Sequence, residues 1–146
     1  MNAAIGLDTS VVVRFLTNQP ATEAELARDR IREALQAGQD LVVPDLAVAE
    51  AYYVLHKLYG IPKDLAVKAL RDLFRQPGWR QEASGVAVAA LEAIQHAKGK
   101  KPGLVDRMLH ARCLEETERM ITFEKAGKKL QRTEVLRAPK TPRHGI

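Results

Sequence analysis

The sequence predicts an α/β fold: a short, mostly parallel central sheet with helices on both faces. Three observations predict it. Short apolar runs alternate along the chain with longer amphipathic stretches, the pattern of strand–helix crossovers into a parallel sheet. Glycine and proline punctuate the junctions, at Gly38, Pro44, Gly60, Pro77-Gly78 and Gly103. The length, 146 residues, fits one domain whose core needs no disulfide or structural metal.

Taken in order, Ala3 to Leu7 reads as a buried strand that ends at Asp8. Ser10 to Leu16 reads as a short helix, with Asp8 or Ser10 as its N-cap. Thr22 to Ala37 is a longer helix with a stripe of Leu26, Ile31 and Leu35 and with Gly38 at its C-terminal end. Leu41-Val42-Val43 is a second strand, stopped by Pro44, after which Asp45 caps a helix running to about Leu58. Lys63 to Phe74 is a further helix, Trp79 to Glu82 a third strand, and Ser84 to about Ala97 another helix. A basic loop, Gly99 to Gly103, leads into a helix from Leu104 to about Glu116. Arg119 to Phe123 and Thr133 to Leu136 complete the strands. Residues 1–137 are expected to form a single domain, and the proline-containing tail 138–146 to fray.

Composition excludes several classes. Cys113 is the one cysteine, so no disulfide scaffold is available within the chain. No stretch approaches the ~20 apolar residues of a membrane-spanning helix. The first fifteen residues lack a basic start, and Asp8 interrupts what would be a signal peptide's apolar core. Together these features point to a reducing, cytoplasmic setting with no membrane partner. The net charge of +5 is unevenly spread: residues 1–97 carry 10 basic and 12 acidic residues, residues 98–146 carry 13 and 6. The basic half is either a solvated end or a surface that faces a polyanion.

Parallel sheets bind ligands beyond the carboxyl ends of their strands, so acids at those ends are candidates. Asp8 follows the first strand and Glu124 follows the strand ending at Phe123. Asp8 is equally suited to capping a helix, and Glu124 to a surface loop. Glu50 lies mid-helix, and its neighbours three and four residues away are Leu46, Ala47, Tyr53 and Val54, all apolar or aromatic. A carboxylate in a core-facing stripe is costly unless paired or metal-bound; the alternative is the stripe's edge, where it reaches water or an arginine. Asp106 sits in the first turn of its helix, where an acid also favours the helix dipole. Clustered carboxylates repel and need a cation, and an all-oxygen set suits Mg²⁺ or Mn²⁺. His56, His96, His110 and His144 have no zinc-site spacing, and there is no Gly-rich nucleotide loop.

Four segments in order carry a resemblance: Gly6-Leu-Asp-Thr-Ser-Val-Val-Val-Arg-Phe-Leu-Thr17, Val43-Pro-Asp-Leu-Ala-Val-Ala-Glu-Ala-Tyr-Tyr-Val-Leu55, Leu104-Val-Asp-Arg-Met-Leu-His-Ala111 and Ile121-Thr-Phe-Glu124. With them the chain resembles the PIN-domain ribonucleases, most closely the VapC-type toxins of toxin–antitoxin pairs, over roughly residues 3 to 136. The resemblance implies a PIN-like three-layer α/β/α fold and a divalent-metal-dependent endoribonuclease that hydrolyses RNA with metal-activated water. It implies one or two Mg²⁺ or Mn²⁺ ions, held by Asp8, Glu50 and Asp106 with Glu124 as the fourth acid. It places Thr122 beside the metal and Thr9 or Ser10 as the polar residue after the first acid. The fourth acid is usually Asp; Glu124 keeps the charge and adds a methylene, which bears on a second ion more than on the first. Lys98, Lys100, Lys101, Arg107, Lys125, Lys128 and Lys129 are candidates for RNA backbone contact, although a solvated face accounts for such charges equally well. The resemblance also implies a homodimer and a cognate antitoxin, for which Val11–Leu16 and Tyr52–Tyr59 are candidate surfaces if they are not simply core.

Two other readings compete. One is a catalytically weak or inactive PIN-like module that binds RNA or protein, for which Glu124 is the sequence support. The other is a phospho-accepting receiver domain, but Asp8 lacks the paired acid of that family and no acid ends a middle strand, since Val43 runs into Pro44.

Overall fold

The structure is a computed structural model that describes residues 3–99 and 101–137. Helices alternate with parallel strands, consistent with a three-layer α/β/α fold. The chain divides into two compact units, Met1–Lys98 and Gly99–Ile146.

The first unit holds β1 (Ile5–Gly6), α1 (Thr9–Thr17), α2 (Ala21–Gln36), β2 (Leu41–Val43), α3 (Asp45–Lys57), α4 (Lys63–Phe74), β3 (Trp79–Gln81) and α5 (Ala87–His96). Its three strands are parallel in the order β1-β2-β3, with Ile5 opposite Leu41 and Leu41 opposite Trp79. The central strand β2 explains its own composition. Leu41 and Val43 are fully buried, as expected of a parallel strand covered by helices. Val12, Val48, Leu55, Leu70, Leu73 and Leu91 complete the core from the helices. Each such side chain contributes about 1.5–3 kcal/mol by leaving water. The Phe15 and Trp79 rings pack with centroids 5.0 Å apart.

The second unit holds α6 (Leu104–Glu116), β4 (Met120–Thr122), a 3₁₀ turn (Lys125–Lys129) and β5 (Thr133–Val135). β4 and β5 pair in parallel, Met120 opposite Thr133, as a two-stranded sheet of their own. Leu104, Pro102 and Met108 are buried here.

Most elements fall where the sequence predicts them, but four expectations need correction. The first strand is Ile5–Gly6 rather than Ala3 to Leu7, and it is not buried along its length: Ala3, Ala4 and Gly6 are exposed at the sheet's edge, and Leu7 alone is buried. Leu26 is not part of the α2 stripe and is 66% exposed; the buried line is Ala24, Ile31 and Ala34. The step from 26 to 31 is five residues, which is not a helical repeat, whereas 24, 31 and 34 are in phase. Asp45 does not cap its own helix: Pro44 is the N-cap of α3, and the Asp45 carboxylate bonds elsewhere. The α5 helix begins at Ala87, not Ser84, because Gly85 turns tightly with its N–H bonded to the Glu82 carbonyl at 2.9 Å. The predicted tail, 138–146, lies outside the described residues.

Candidate active site

β1 and β2 run in the same direction. Asp8, which follows β1, and the start of α3, which follows β2, therefore leave the sheet at the same end. Asp8 is exposed and is the N-cap of α1. One carboxylate oxygen accepts from the Thr9 N–H at 2.7 Å, and the other accepts from the Ser10 hydroxyl at 3.4 Å. Thr9 is buried and Ser10 exposed. Asp8 thus caps a helix, and its carboxylate stays open to solvent at a strand end.

Glu50 corrects the sequence argument. It is exposed, and so are two of its apolar neighbours, Leu46 at 84% and Tyr53 at 55%. The buried line of α3 runs through Asp45, Val48, Tyr52 and Leu55. Position 50 is two residues from both 48 and 52, so it points roughly opposite the core. Leu46, Glu50 and Tyr53 do share one stripe, but it is the exposed one. Among the described residues Glu50 has no hydrogen-bond or ion-pair partner.

The buried acid is Asp45, 7% exposed. Its oxygens accept from the N–H groups of Val86 at 2.9 Å and Ala87 at 3.2 Å, at the start of α5. Glu82 reciprocates, its carboxylate accepting from the Asp45 N–H at 2.7 Å. Two acids thus cross-cap two helices whose own N-cap residues, Pro44 and Val86, supply no side-chain oxygen. Gly85 leaves room for this, since a Cβ there would lie 2.9 Å from the Asp45 carboxylate. Sequence reasoning assigns Asp45 a capping role, but the helix it caps starts 42 residues away. The pairing of Glu82 with Gly85 ahead of an uncapped helix is the local signal that could have found it.

In the second unit three predicted residues meet. Asp106, Thr122 and Glu124 line one cleft of about 210 Å³, floored by Leu109, Met120 and Leu130. Asp106 is exposed and, among the described residues, carries no hydrogen bond or ion pair. Glu124 is exposed; one oxygen accepts from the Ala126 N–H at 3.4 Å, at the start of the 3₁₀ turn. The Glu124 N–H donates to the Thr122 hydroxyl at 3.0 Å, which ties that hydroxyl to the backbone of residue 124. Gly127 is the residue that sequence reasoning missed. It is buried, and a Cβ there would lie 2.8 Å from the Thr122 methyl and 3.3 Å from that of Thr133. Only glycine lets the turn press this closely on β4 and β5. His110, one turn after Asp106, is committed elsewhere: its Nε2–H donates to the Gln131 carbonyl at 2.7 Å.

The basic candidates differ in how free they are. Arg107 is half-buried, and its Nε donates to the Pro102 carbonyl at 2.9 Å. Lys129 donates to the Lys101 carbonyl at 3.2 Å. Lys98, Lys101, Lys125, Lys128 and Lys129 are exposed, and Lys100 lies outside the described residues.

Compared with known protein families, the chain matches the PIN domain over residues 5–133. It belongs to the PIN domain family. Comparison with curated proteins gives no match. PIN domains are in general metal-dependent nucleases, typically with divalent ions such as Mg²⁺. Among the described residues of this PIN domain, no helix is long and apolar enough to cross a membrane.

The chemistry of the candidate side chains in each unit suits such an ion. Asp8, Glu50, Asp106 and Glu124 offer carboxylate oxygens open to solvent, and Thr122 adds a hydroxyl in the same cleft as two of them. Hard oxygen donors of this kind match Mg²⁺ or Mn²⁺. Among the described residues, no three His, Cys, Asp or Glu side chains gather as a metal-ligand cluster.

Proposed function

We propose that this PIN domain is a divalent-metal-dependent endoribonuclease, the toxin component of a cytoplasmic toxin–antitoxin pair. The single observation that carries the nuclease reading is the second unit's cleft. There Asp106, Thr122 and Glu124 converge in the part of the chain that also holds most of its excess positive charge. Carboxylates open to solvent, in a strongly basic part of the chain, fit a site that takes a cation and a polyanion together.

In this reading Asp8, Glu50 and Asp106 hold the essential ion, and Glu124 contributes through its longer side chain. A single domain over residues 1–137 is supported by a family match that runs across both units. When bound, a divalent ion supplies Lewis acidity toward a phosphoryl oxygen and lowers the pKa of water. The protein's own residues do the rest. Asp8 is held at a strand end by the Thr9 and Ser10 bonds, and the Thr122 hydroxyl is fixed by the Glu124 N–H. The lysines of the second unit draw the RNA backbone in. The VapC-like toxin role, the antitoxin and a homodimer rest on the motif resemblance.

One observation favours the non-catalytic alternative: Glu124 spends part of its carboxylate on the Ala126 N–H. The deciding experiment is cleavage of a total cellular RNA pool with Mn²⁺ or Mg²⁺, with EDTA, and with Asp8→Asn. Asn is as good an N-cap as Asp, so the variant should fold as the parent does. Discrete fragments that require metal and vanish in Asp8→Asn are expected. No cleavage together with no thermal stabilisation by either ion would turn the assignment to the binding module.

A further inference from the structure

A second concavity of the same unit, about 500 Å³, is lined by Lys101, Phe123, Glu124, Lys125, Lys128 and Lys129. Its one aromatic lining residue is left bare by the fold: Phe123 is 71% exposed, directly after β4. An exposed large apolar ring with four lysines around it is not core that failed to be covered. It is the composition of a surface that stacks a base and neutralises the flanking phosphates. We propose that Phe123 is the stacking platform for one unpaired RNA base, with Lys101, Lys125, Lys128 and Lys129 holding the adjoining phosphates.

The inference deepens the ribonuclease reading and rests on it for the identity of the polymer. Glu124 lines both this concavity and the cleft with Asp106 and Thr122. The two concavities therefore adjoin at Glu124, so a strand seated on Phe123 lies next to the acid-lined cleft. An acidic peptide would satisfy the lysines but gives the ring no π-face to stack and needs no continuity with the acids. Stacking demands a splayed base, so the ligand is single-stranded: a base in a duplex is not available to the ring.

The test is fluorescence anisotropy of the full chain with a labelled twelve-nucleotide single-stranded RNA in EDTA, where no cleavage occurs. Phe123→Ala is expected to weaken binding about 5- to 150-fold, the range for loss of one stacked base. Phe123→Trp is expected to stay within about 3-fold of the parent, since stacking survives in the larger ring. Replacing Lys125 and Lys128 by Ala should weaken all sequences alike and flatten the salt dependence by about 0.7 for each phosphate no longer neutralised. The proposal is overturned by parental affinity in Phe123→Ala, or by no RNA binding. It is also overturned if a blunt duplex of the same sequence competes equally. A polyglutamate peptide that binds through Phe123 while RNA does not would assign the surface to an acidic protein. The two readings fail separately. Phe123-dependent binding without metal-dependent cleavage sinks only the nuclease. Metal-dependent cleavage with unaltered binding and KM in Phe123→Ala sinks only the platform.

Discussion

Replacing Asp45 by alanine should cost this protein more stability than removing any of the four acids assigned to metal. The reason is burial. The Asp45 carboxylate, 7% exposed, receives the Val86 and Ala87 N–H groups at 2.9 and 3.2 Å. A hydrogen bond to a charged group contributes roughly 1.5–3 kcal/mol, and a buried donor left without a partner carries its full desolvation penalty. The Asp45 oxygens also face the positive end of α5, which adds a few tenths of a kcal/mol or more. With one of the two bonds long, the expected loss for Asp45→Ala is about 3–5 kcal/mol, a third or more of a typical domain's stability. Asp45→Asn should lose about half of that, because its carbonyl keeps one N–H while its amide confronts the other with a donor. The assay is urea unfolding followed by tryptophan fluorescence. Trp79, the one tryptophan of the chain, is 5% exposed in β3 and reports on the unit that contains Asp45. Asp45→Ala within about 1 kcal/mol of the parent would refute the cross-capping argument, since a substitution that leaves one buried and one half-buried donor unpaired exceeds that cost.

Glu50→Gln, by contrast, should leave unfolding within about 0.5 kcal/mol of the parent, the usual range for an exposed site, and reduce Mn²⁺ affinity in calorimetry; unchanged affinity would remove Glu50 from the ligand set. Gly127→Ala should destabilise the second unit by about 1–3 kcal/mol through overpacking and lower cleavage, because the new methyl group pushes on Thr122. Parental stability and activity in that variant would show that the turn is free to move. His56 should make stability depend on pH. Burial, then the charges of Lys63 and Lys57, hold its pKa below the ordinary 6.5. The unfolded chain therefore takes up a proton near 6.5 that the folded chain refuses. Stability is full above that value, falls as pH drops toward the folded pKa, and levels off below it. His56→Gln should flatten the profile as pH falls below the ordinary histidine value of 6.5, and an identical slope in parent and variant would show that other groups carry it.

Motif order and element order were legible in the sequence because they depend on neighbours close in the chain. The β2 run Leu-Val-Val stopped by Pro44, the α4 span Lys63–Phe74 and the α6 span Leu104–Glu116 all follow from local pattern and stop signals. The placement of Asp106 at a helix start and of Glu124 at a strand end follows the same logic, whereas their meeting with Thr122 in one cleft was implied only by the resemblance. The apolar neighbours of Glu50 were legible too, but not the side of α3 they occupy. Periodicity marks that residues share a face, whereas which face is covered depends on what packs against it. Leu46 and Tyr53 make an apolar stripe that stays exposed, while the covered line runs through Asp45.

What the sequence alone determined is therefore the fold class, the family-bearing motifs and the chemistry on offer: four carboxylates, a threonine and a basic C-terminal half. Tertiary structure decided which acid is structural. Asp45 and the start of α5 are some forty residues apart, and no local rule connects a helix that lacks a cap with a distant carboxylate. It also decided the role of Gly127, whose missing side chain matters only because β4 and β5 close over it. The bareness of Phe123 among its lysines is of the same kind. Burial is a property of what surrounds a residue, and those surroundings are assembled from parts of the chain that local pattern does not link.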